Sequence, residues 1–345
     1  MNDIEQSLQK AMIEKQWILG DKQIARTGNP FEWVDGDTSI MKTIRQFDGI
    51  IAFIRWLLVF DELYSPPDEI YIDQYEEVKN ENMEIFSNAF DFYAPFISHS
   101  DINKNAIEGI SAVRTVDYCF IKKYAIDLSE GINHLDLGPG LGSHAVYSLS
   151  RFKSNFFAIE AIPYTYQIQR YFFRYLSYYW PKYIDVVECE NFYLNSKQIH
   201  DNIYDNQYRI KQIPSWYFDT LDANSIDLIT ATFMLNELSE AGLLWLLSNA
   251  SKVLKEGSYL YIRDSGKLKP GRNKIDYDKL LEIMGFKLVK KLDLINRVDL
   301  HGIPRLYQKT NNKSYSYQYL LDKCFGHFYV LTLDKKIINI DNINL

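Results

Sequence analysis

Positions 133–143 of the chain are NHLDLGPGLGS. The first five, Asn133–Leu137, have the length and apolar character of a buried strand, and glycines follow at positions 138, 140 and 142. Because glycine has no Cβ atom, a turn of this composition lets the backbone approach a ligand closely. Ser143 is a residue type that often caps the start of a helix. The run therefore predicts a strand, a ligand-binding turn and a helix, in this order.

The spacing of the glycines distinguishes between classes of nucleotide-binding turn. A dinucleotide fingerprint has its third glycine at the position that Ser143 holds here, so the NAD pattern is not met. No lysine follows, as it does in the phosphate-binding loop of nucleoside triphosphatases. Asp136 instead precedes the first glycine by two positions. The turn is predicted to hold a nucleoside.

The next predicted strand, Asn155–Glu160, ends in a carboxylate. A carboxylate at the end of this strand can accept hydrogen bonds from both hydroxyls of a ribose. The alternative for Glu160 is a structural role, in which it caps a helix or faces solvent. Two histidines near the turn receive structural predictions only: His134 is expected to be buried in its strand, and His144 to be an ordinary helical residue.

From Gly131 onward, short apolar runs alternate with longer helical patterns, which predicts βαβ units and a parallel sheet. Further strands are predicted at 209–216, 226–232, 258–262, 286–292 and 303–308, and helices at 163–180, 239–254 (ending at Gly257) and 277–284. Residues 185–208 are predicted to be a long connection or an insertion. The expected fold is α/β, with a Rossmann-like, mostly parallel sheet of seven strands.

Three regions follow from this pattern. Residues 1–130 show helical periodicity and turn signals, which predicts a helical N-terminal domain that acts as a lid or binds the acceptor. Residues 131–310 form the predicted catalytic domain. Residues 311–345 are a C-terminal extension, whose apolar run 328–333 has no assigned place.

Composition and charge limit the function classes. The 345 residues carry a formal net charge of −7, which argues against a nucleic-acid-binding protein and favours a small-molecule partner. The three cysteines are odd in number and far apart, as expected for reduced thiols in the cytoplasm. Residues 1–10 lack the pattern of a secretory signal, and the apolar run 50–60 is short and contains Arg55, so a buried amphipathic helix is expected rather than a membrane span. A homo-oligomer is left open.

The glycine turn with Asp136 before it resembles motif I of class I S-adenosylmethionine-dependent methyltransferases. The resemblance extends over 131–308, because the acid, the third strand and the fourth-strand segment 226–230 with 236–238 follow in the same order. It implies that S-adenosylmethionine is the cofactor and that Trp216 stacks on or walls the adenine, although a tryptophan of the core is the alternative. The implied cofactor-binding residues are Asp136, Gly138, Pro139, Gly140, Gly142, Glu160, Ala161, Ser215 and Trp216.

Within that class, three segments resemble the sugar O-methyltransferases encoded among bacterial surface-polysaccharide genes. They are Ile213–Trp216, the pair Asn236 and Glu237, and residues 301–305 with the sequence HGIPR. The resemblance implies methylation of a hydroxyl on a sugar or nucleotide-linked sugar, as in polysaccharide biosynthesis. Phe233 and Met234 depart from it, since more polar residues are expected before the acid.

The acceptor side contains the candidate catalytic residues. His301, Glu237 and Asp264 are candidate bases, because Glu237 and Asp264 follow predicted strand ends and a histidine titrates near neutrality. Asn236 and Arg305 are candidate substrate ligands, Arg305 through bidentate contacts with a phosphate or carboxylate. Alternatively, His301 is structural and Arg305 is an exposed strand residue. Glu237 and Asp264 could also bind a divalent metal, but no dense ligand cluster supports it and metal dependence stays open.

Three other functions remain as alternatives. A methyltransferase for a small-molecule amine or a protein side chain would have the same cofactor site. An NAD-linked sugar-modifying enzyme would need a nicotinamide site. A noncatalytic Rossmann-fold protein would bind cofactor weakly or not at all, and the intact Asp136, glycines and Glu160 argue against that loss.

Overall fold

The structure of the chain is a computed structural model. It describes residues 73–93, 104–161, 163–180, 182–191, 194–235, 238, 240–264, 276–292 and 302–325. The described residues as far as Ser215 belong to one compact unit, and those from Trp216 onward belong to a second.

The first unit begins with two helices, α1 (Tyr75–Tyr93) and α2 (Lys104–Tyr124). A buried hydrogen bond from Asn82 Nδ2 to Thr115 Oγ1, 3.0 Å long, joins them. Both helices lie in the region predicted to be helical. The predicted amphipathic helix at 50–60 lies outside the described residues.

The rest of the first unit alternates strands with helices. Its elements are β1 (Asn133–Leu137), α3 (His144–Arg151), β2 (Asn155–Glu160), α4 (Pro163–Leu176), β3 (Tyr183–Asp185), α5 (Val186–Asn191), α6 (Ser196–Tyr204) and β4 (Ile210–Pro214). The strands are parallel, in the order β3-β4-β2-β1. Strands β2 and β4 are buried along nearly their whole length, as expected for parallel strands covered on both faces.

Two local predictions for this unit, the cap at Ser143 and the end of the third strand, are wrong, and a third is incomplete. Ser143 does not cap α3 with its side chain, because its own backbone is already helical (φ −65°, ψ −23°) and Ala145 N donates to Gly142 O at 3.0 Å. The predicted connection 185–208 contains α5 and α6, and Asn195 caps α6 by accepting from Gln198 N at 2.9 Å. The third predicted strand ends at Pro214 because Ser215–Thr220 form a 3₁₀ helix.

The second unit contains the remaining strands and three helices of the described chain. They are β5 (Ile226–Thr232), α7 (Glu240–Val253), β6 (Leu254–Asp264), α8 (Tyr277–Ile283), β7 (Phe286–Lys291), β8 (Ile303–Lys309) and α9 (Tyr317–Phe325). Strands β5 and β6 are parallel, and β8 runs antiparallel between β6 and β7. The apolar run 328–333 lies outside the described residues.

The junction between α7 and β6 also differs from the prediction. The helix ends at Val253 and the strand begins at Leu254, so Gly257 lies within the strand rather than at the helix end. Lys309 Nζ on β8 donates to the carbonyl oxygens of Ser251 (2.6 Å) and Leu254 (2.7 Å). The lysine therefore satisfies carbonyl oxygens at the end of the helix, which the backbone of a glycine-containing cap satisfies in other helices.

Four of the six strand pairs within the two units are parallel. The predicted α/β class with a Rossmann-like, mostly parallel sheet is confirmed, with eight strands among the described residues instead of seven. The additional strand is β3, which has only three residues. In the part of the chain that the structure describes, no helix is long and apolar enough to cross a membrane.

Candidate active site

The glycine turn joins β1 to α3 in a conformation that favours glycine. Gly138 (φ 61°), Gly140 (φ 60°) and Gly142 (φ 80°) all have left-handed backbone, which costs other residues roughly 1–2 kcal/mol. Gly142 N donates to Pro139 O at 2.9 Å and closes the turn. Gly138 N donates to Ile159 O of β2, also at 2.9 Å. The turn is therefore fixed to the end of the neighbouring strand.

Two of the glycines have different surroundings. A Cβ atom on Gly140 would have no heavy atom within 4 Å, so this side of the turn borders open space. A Cβ atom on Gly142 would lie 2.5 Å from Phe173 Cε1 on α4. Gly142 thus allows the turn to pack on the protein, whereas Gly140 leaves its backbone accessible to a ligand.

Asp136, on β1 before the turn, is held by a buried histidine. His144 Nδ1 lies 2.8 Å from Asp136 Oδ2, and His144 Nε2 lies 3.0 Å from Asp117 Oδ2 on α2. Arg114 Nη1 donates to Asp117 Oδ2 at 2.7 Å and lies 2.5 Å from His144 Nε2. A chain of polar contacts therefore joins the helix α2 to the strand that carries the turn.

His144 has polar partners at both ring nitrogens. Asp136 lies at Nδ1, and both Arg114 and the Asp117 carboxylate lie within 3.0 Å of Nε2. The ring therefore links the helix α2 to the strand β1. A functional role for His144 was not predicted, because its partners on α2 are 27 and 30 residues away along the chain.

Glu160 ends β2 beside the turn and is only 3% exposed. Its Oε1 accepts from Ala161 N at 2.8 Å, and its Oε2 accepts from Gln169 Nε2 at 2.8 Å. These bonds fix the orientation of the carboxylate. They exclude the alternative in which Glu160 simply faces solvent.

The other two predicted cofactor residues follow β4. Ser215 is buried and begins the 3₁₀ helix. The backbone of Trp216 is the second position of that helix, and its side chain lies outside the described residues. Stacking of Trp216 on an adenine stays a prediction.

Asp264 is the one candidate base within the described residues. It is buried at the end of β6, opposite Ile303 on β8, and a Cβ atom on Gly302 would lie 3.0 Å from its backbone nitrogen. Burial, with a smaller contribution from the Asp264 charge, raises the pKa of Tyr277. Asn236, Glu237 and His301 lie outside the described residues.

Arg305 has partners within its own unit. It is 2% exposed, so the alternative of an exposed strand residue is wrong. Its Nη1 donates to Tyr277 Oη at 2.9 Å, and its guanidinium lies over the Tyr277 ring at 5.5 Å. Its Nε lies 3.2 Å from Asp278 Oδ2 without the alignment of a hydrogen bond, so this contact is an ion pair. Arg305 thus fastens β8 to α8.

The described residues lack a cluster of metal ligands, and two of the cysteine thiols are perturbed by burial. The described part of the chain contains no group of three His, Cys, Asp or Glu side chains arranged to hold a metal ion. The three cysteines are free thiols. Burial raises the pKa of Cys119 to about 12 and that of Cys324 to about 11, so these two are not thiolates at neutral pH.

The chain resembles solved structures at low sequence identity, and it matches no family model and no curated protein sequence. A geranyl diphosphate C-methyltransferase from Streptomyces coelicolor A3(2) is 11% identical with a TM-score of 0.43, and the match covers 71% of this chain and 100% of that one. A SAM-dependent methyltransferase from Aquifex aeolicus is 17% identical with a TM-score of 0.34, over 58% of this chain and 98% of that one.

The similar structures also include a protein named for another reaction. The [4+2]-cyclase SpnF is 15% identical with a TM-score of 0.37, and the match covers 59% of this chain and 83% of that one. Likenesses of this degree assign no reaction to the chain.

Proposed function

We propose that this chain is an S-adenosylmethionine-dependent methyltransferase. One observation carries the proposal: the glycine turn is open at Gly140 and lies next to the buried carboxylate of Glu160, at the carboxyl ends of two adjacent parallel strands. Open α/β sheets bind their ligands at this edge.

The described residues fit the chemical groups of this cofactor. The ribose offers two hydroxyl donors, and Glu160 is a carboxylate acceptor with a fixed orientation. The backbone at Gly140, which is half-buried and open in the direction of a Cβ atom, is the surface on which the nucleoside and methionine parts would lie. Asp136 supplies negative charge before the turn, which suits a cofactor with a cationic sulfur and an ammonium group.

When bound, S-adenosylmethionine supplies a methyl group on a positively charged sulfur, for in-line displacement by an acceptor atom. The protein's own residues would orient the acceptor, exclude water and take the proton of a hydroxyl. We propose His301, Glu237 and Asp264 for that proton, with His301 as the first choice, and Asn236 and Arg305 for binding the acceptor.

The proposed acceptor is a hydroxyl of a sugar or nucleotide-linked sugar in surface-polysaccharide synthesis, in the cytoplasm. Its support is the resemblance of residues 213–216, 236–237 and 301–305 to sugar O-methyltransferases. The proposed layout is a helical lid or acceptor region over 1–130, a catalytic domain over 131–310 and an extension over 311–345.

The test is incubation with methyl-labelled S-adenosylmethionine and a panel of nucleotide sugars, small amines and a protein substrate. Label on a sugar is the expected result, and label only on an amine or protein would exclude the sugar acceptor while keeping the methyltransferase. His301→Ala should lower turnover by about a hundredfold if it takes the proton. Cofactor binding without transfer to any acceptor would favour the noncatalytic alternative, and chelator inactivation with rescue by magnesium would indicate a metal.

A further inference from the structure

Gln169 on α4 contacts both parts of the proposed cofactor site through one nitrogen. Its Nε2 donates to Gly140 O at 2.7 Å and to Glu160 Oε2 at 2.8 Å. The side chain is fully buried. The open glycine of the turn and the acid of the next strand are therefore held together by a side chain that belongs to neither.

The orientation of this amide is determined by its other end. Gln212 Nε2 on β4 lies 3.5 Å from Gln169 Oε1 and also donates to Tyr166 O at 2.5 Å. Tyr183 Oη on β3 donates to Gln212 Oε1. With Gln212 donating to its oxygen, Gln169 must direct its NH₂ group towards Gly140 and Glu160.

The two acceptors explain why an amide stands at this position. Both carry negative charge or partial charge, and an NH₂ group has two hydrogens to donate, one for each. A carboxylate of the same size would repel both acceptors, and an apolar side chain would leave them without this donor.

We propose that Gln169 is a positioning residue that sets the separation between the Gly140 backbone and the Glu160 carboxylate, and so organises the site for the cofactor. This inference rests on the proposed function. Gln169 acts through the turn and the acid rather than on the reacting atoms. Its removal should therefore weaken cofactor binding and leave turnover at saturating cofactor nearly unchanged.

A matched pair of variants tests the proposal by calorimetry with S-adenosylhomocysteine. Gln169→Met removes the amide and keeps the side-chain size, and Gln167→Met makes the same change at a buried position on another face of α4. We expect affinity to fall roughly tenfold to a hundredfold in Gln169→Met, the range for a lost hydrogen bond to a charged group. Gln167→Met should bind as the wild type does.

Gln169→Glu adds a second measurement, the pH dependence of cofactor affinity, which would not change if Gln169 had a purely structural role. The acid introduced at position 169 faces Glu160, which is on β2. The other titratable and charged groups lie beyond Gln212 and are Tyr166 and Arg170 on α4 and Tyr183 and Asp185 on β3. Burial raises the pKa of both tyrosines, so they stay neutral below pH 8. Affinity of this variant should be lowest at pH 8 and recover at least tenfold towards pH 5, because the protonated acid regains one donor.

A ligand-free measurement separates this inference from the proposed function. Amide hydrogen exchange of residues 138–142 should accelerate in Gln169→Met and not in Gln167→Met, because only the first variant loses the hydrogen bond to Gly140 O. If the wild type binds S-adenosylhomocysteine and the variants at position 169 bind equally well, the positioning role is overturned and the proposed function stands. If the wild type does not bind it, the cofactor assignment itself fails.

Discussion

Polar side chains have different surroundings at two places where strands end. The first edge is formed by the ends of β1 and β2, and the second edge by the end of β6 and the start of β8. At the end of β1 and β2, Asp136 and Glu160 are held by hydrogen bonds beside a turn whose Gly140 borders open space. At the end of β6 and the start of β8, Asp264 is buried and Arg305 is engaged by Tyr277 and Asp278. The first edge orients polar groups next to an opening. The second uses its arginine to hold a helix on the sheet.

The comparison shows that location at a strand end is a weaker guide to ligand binding than the contacts of a side chain. Both edges satisfy the same rule of α/β sheets, and only the first combines an opening with oriented acceptors among the described residues. Substitutions of the polar side chains should therefore separate the two edges, with an effect on cofactor affinity for Glu160 and on stability for Arg305.

The largest loss of stability is expected from substitution of Gly142, the glycine of the turn that packs on Phe173. Gly142→Ala should lower the free energy of unfolding by about 3 kcal/mol, because the new methyl group meets Phe173 and the backbone is left-handed. The matched Gly140→Ala meets no atom and should cost only about 1 kcal/mol. Urea denaturation of both variants measures the difference, and equal losses would mean that the two positions are packed alike.

Removal of Arg305 comes next. Arg305→Leu should lower the free energy of unfolding by about 2–3 kcal/mol, less than for a fully buried pair because Asp278 is 34% exposed. Affinity for S-adenosylhomocysteine should stay within a factor of about two, since the arginine stabilises α8 and β8. Acceptor turnover should fall too if Arg305 also binds the acceptor as proposed, and unchanged turnover would leave it with the stabilising role alone.

Loss of the carboxylate at the first edge should affect binding. Glu160→Ala should cost about 1.5–3 kcal/mol of affinity for S-adenosylhomocysteine, the range for hydrogen bonds to a charged group. Glu160→Gln keeps one acceptor oxygen and should lose less. Isothermal calorimetry at constant pH distinguishes them, and normal binding by the alanine variant would leave Glu160 with a structural role alone.

The effect that is smallest at neutral pH concerns the buried face of β1. Burial lowers the pKa of His134 to about 3, so below pH 6.5 the unfolded chain binds a proton that the folded chain refuses. Stability should therefore fall as the pH decreases from 6.5 towards 3, by up to about 1.4 kcal/mol per pH unit from this group. His134→Leu should remove that share of the slope in urea denaturation between pH 6.5 and 5. An unchanged slope would mean that His134 protonates within the fold.

The features of the fold that depend on neighbouring residues could be predicted from the sequence. The turn, the strands β1 and β2 and the acid at position 160 follow from glycine spacing and apolar runs, which depend only on neighbouring residues. The roles of Gln169 and His144 could not be predicted, because Gln169 meets Gly140 across 29 residues and His144 meets Asp117 across 27. Such contacts exist only once α2 and α4 have packed. Ser143 failed as a cap for a related reason, since the turn itself supplies the first helical carbonyl.

Calorimetry with S-adenosylhomocysteine on the wild type and on Gly140→Val tests whether the glycine turn binds the cofactor. We expect binding by the wild type and no detectable binding by the variant, because a branched side chain would fill the open side of the turn. The variant should still unfold cooperatively in urea. Equal affinity in the two proteins, or no binding by the wild type, would contradict the account.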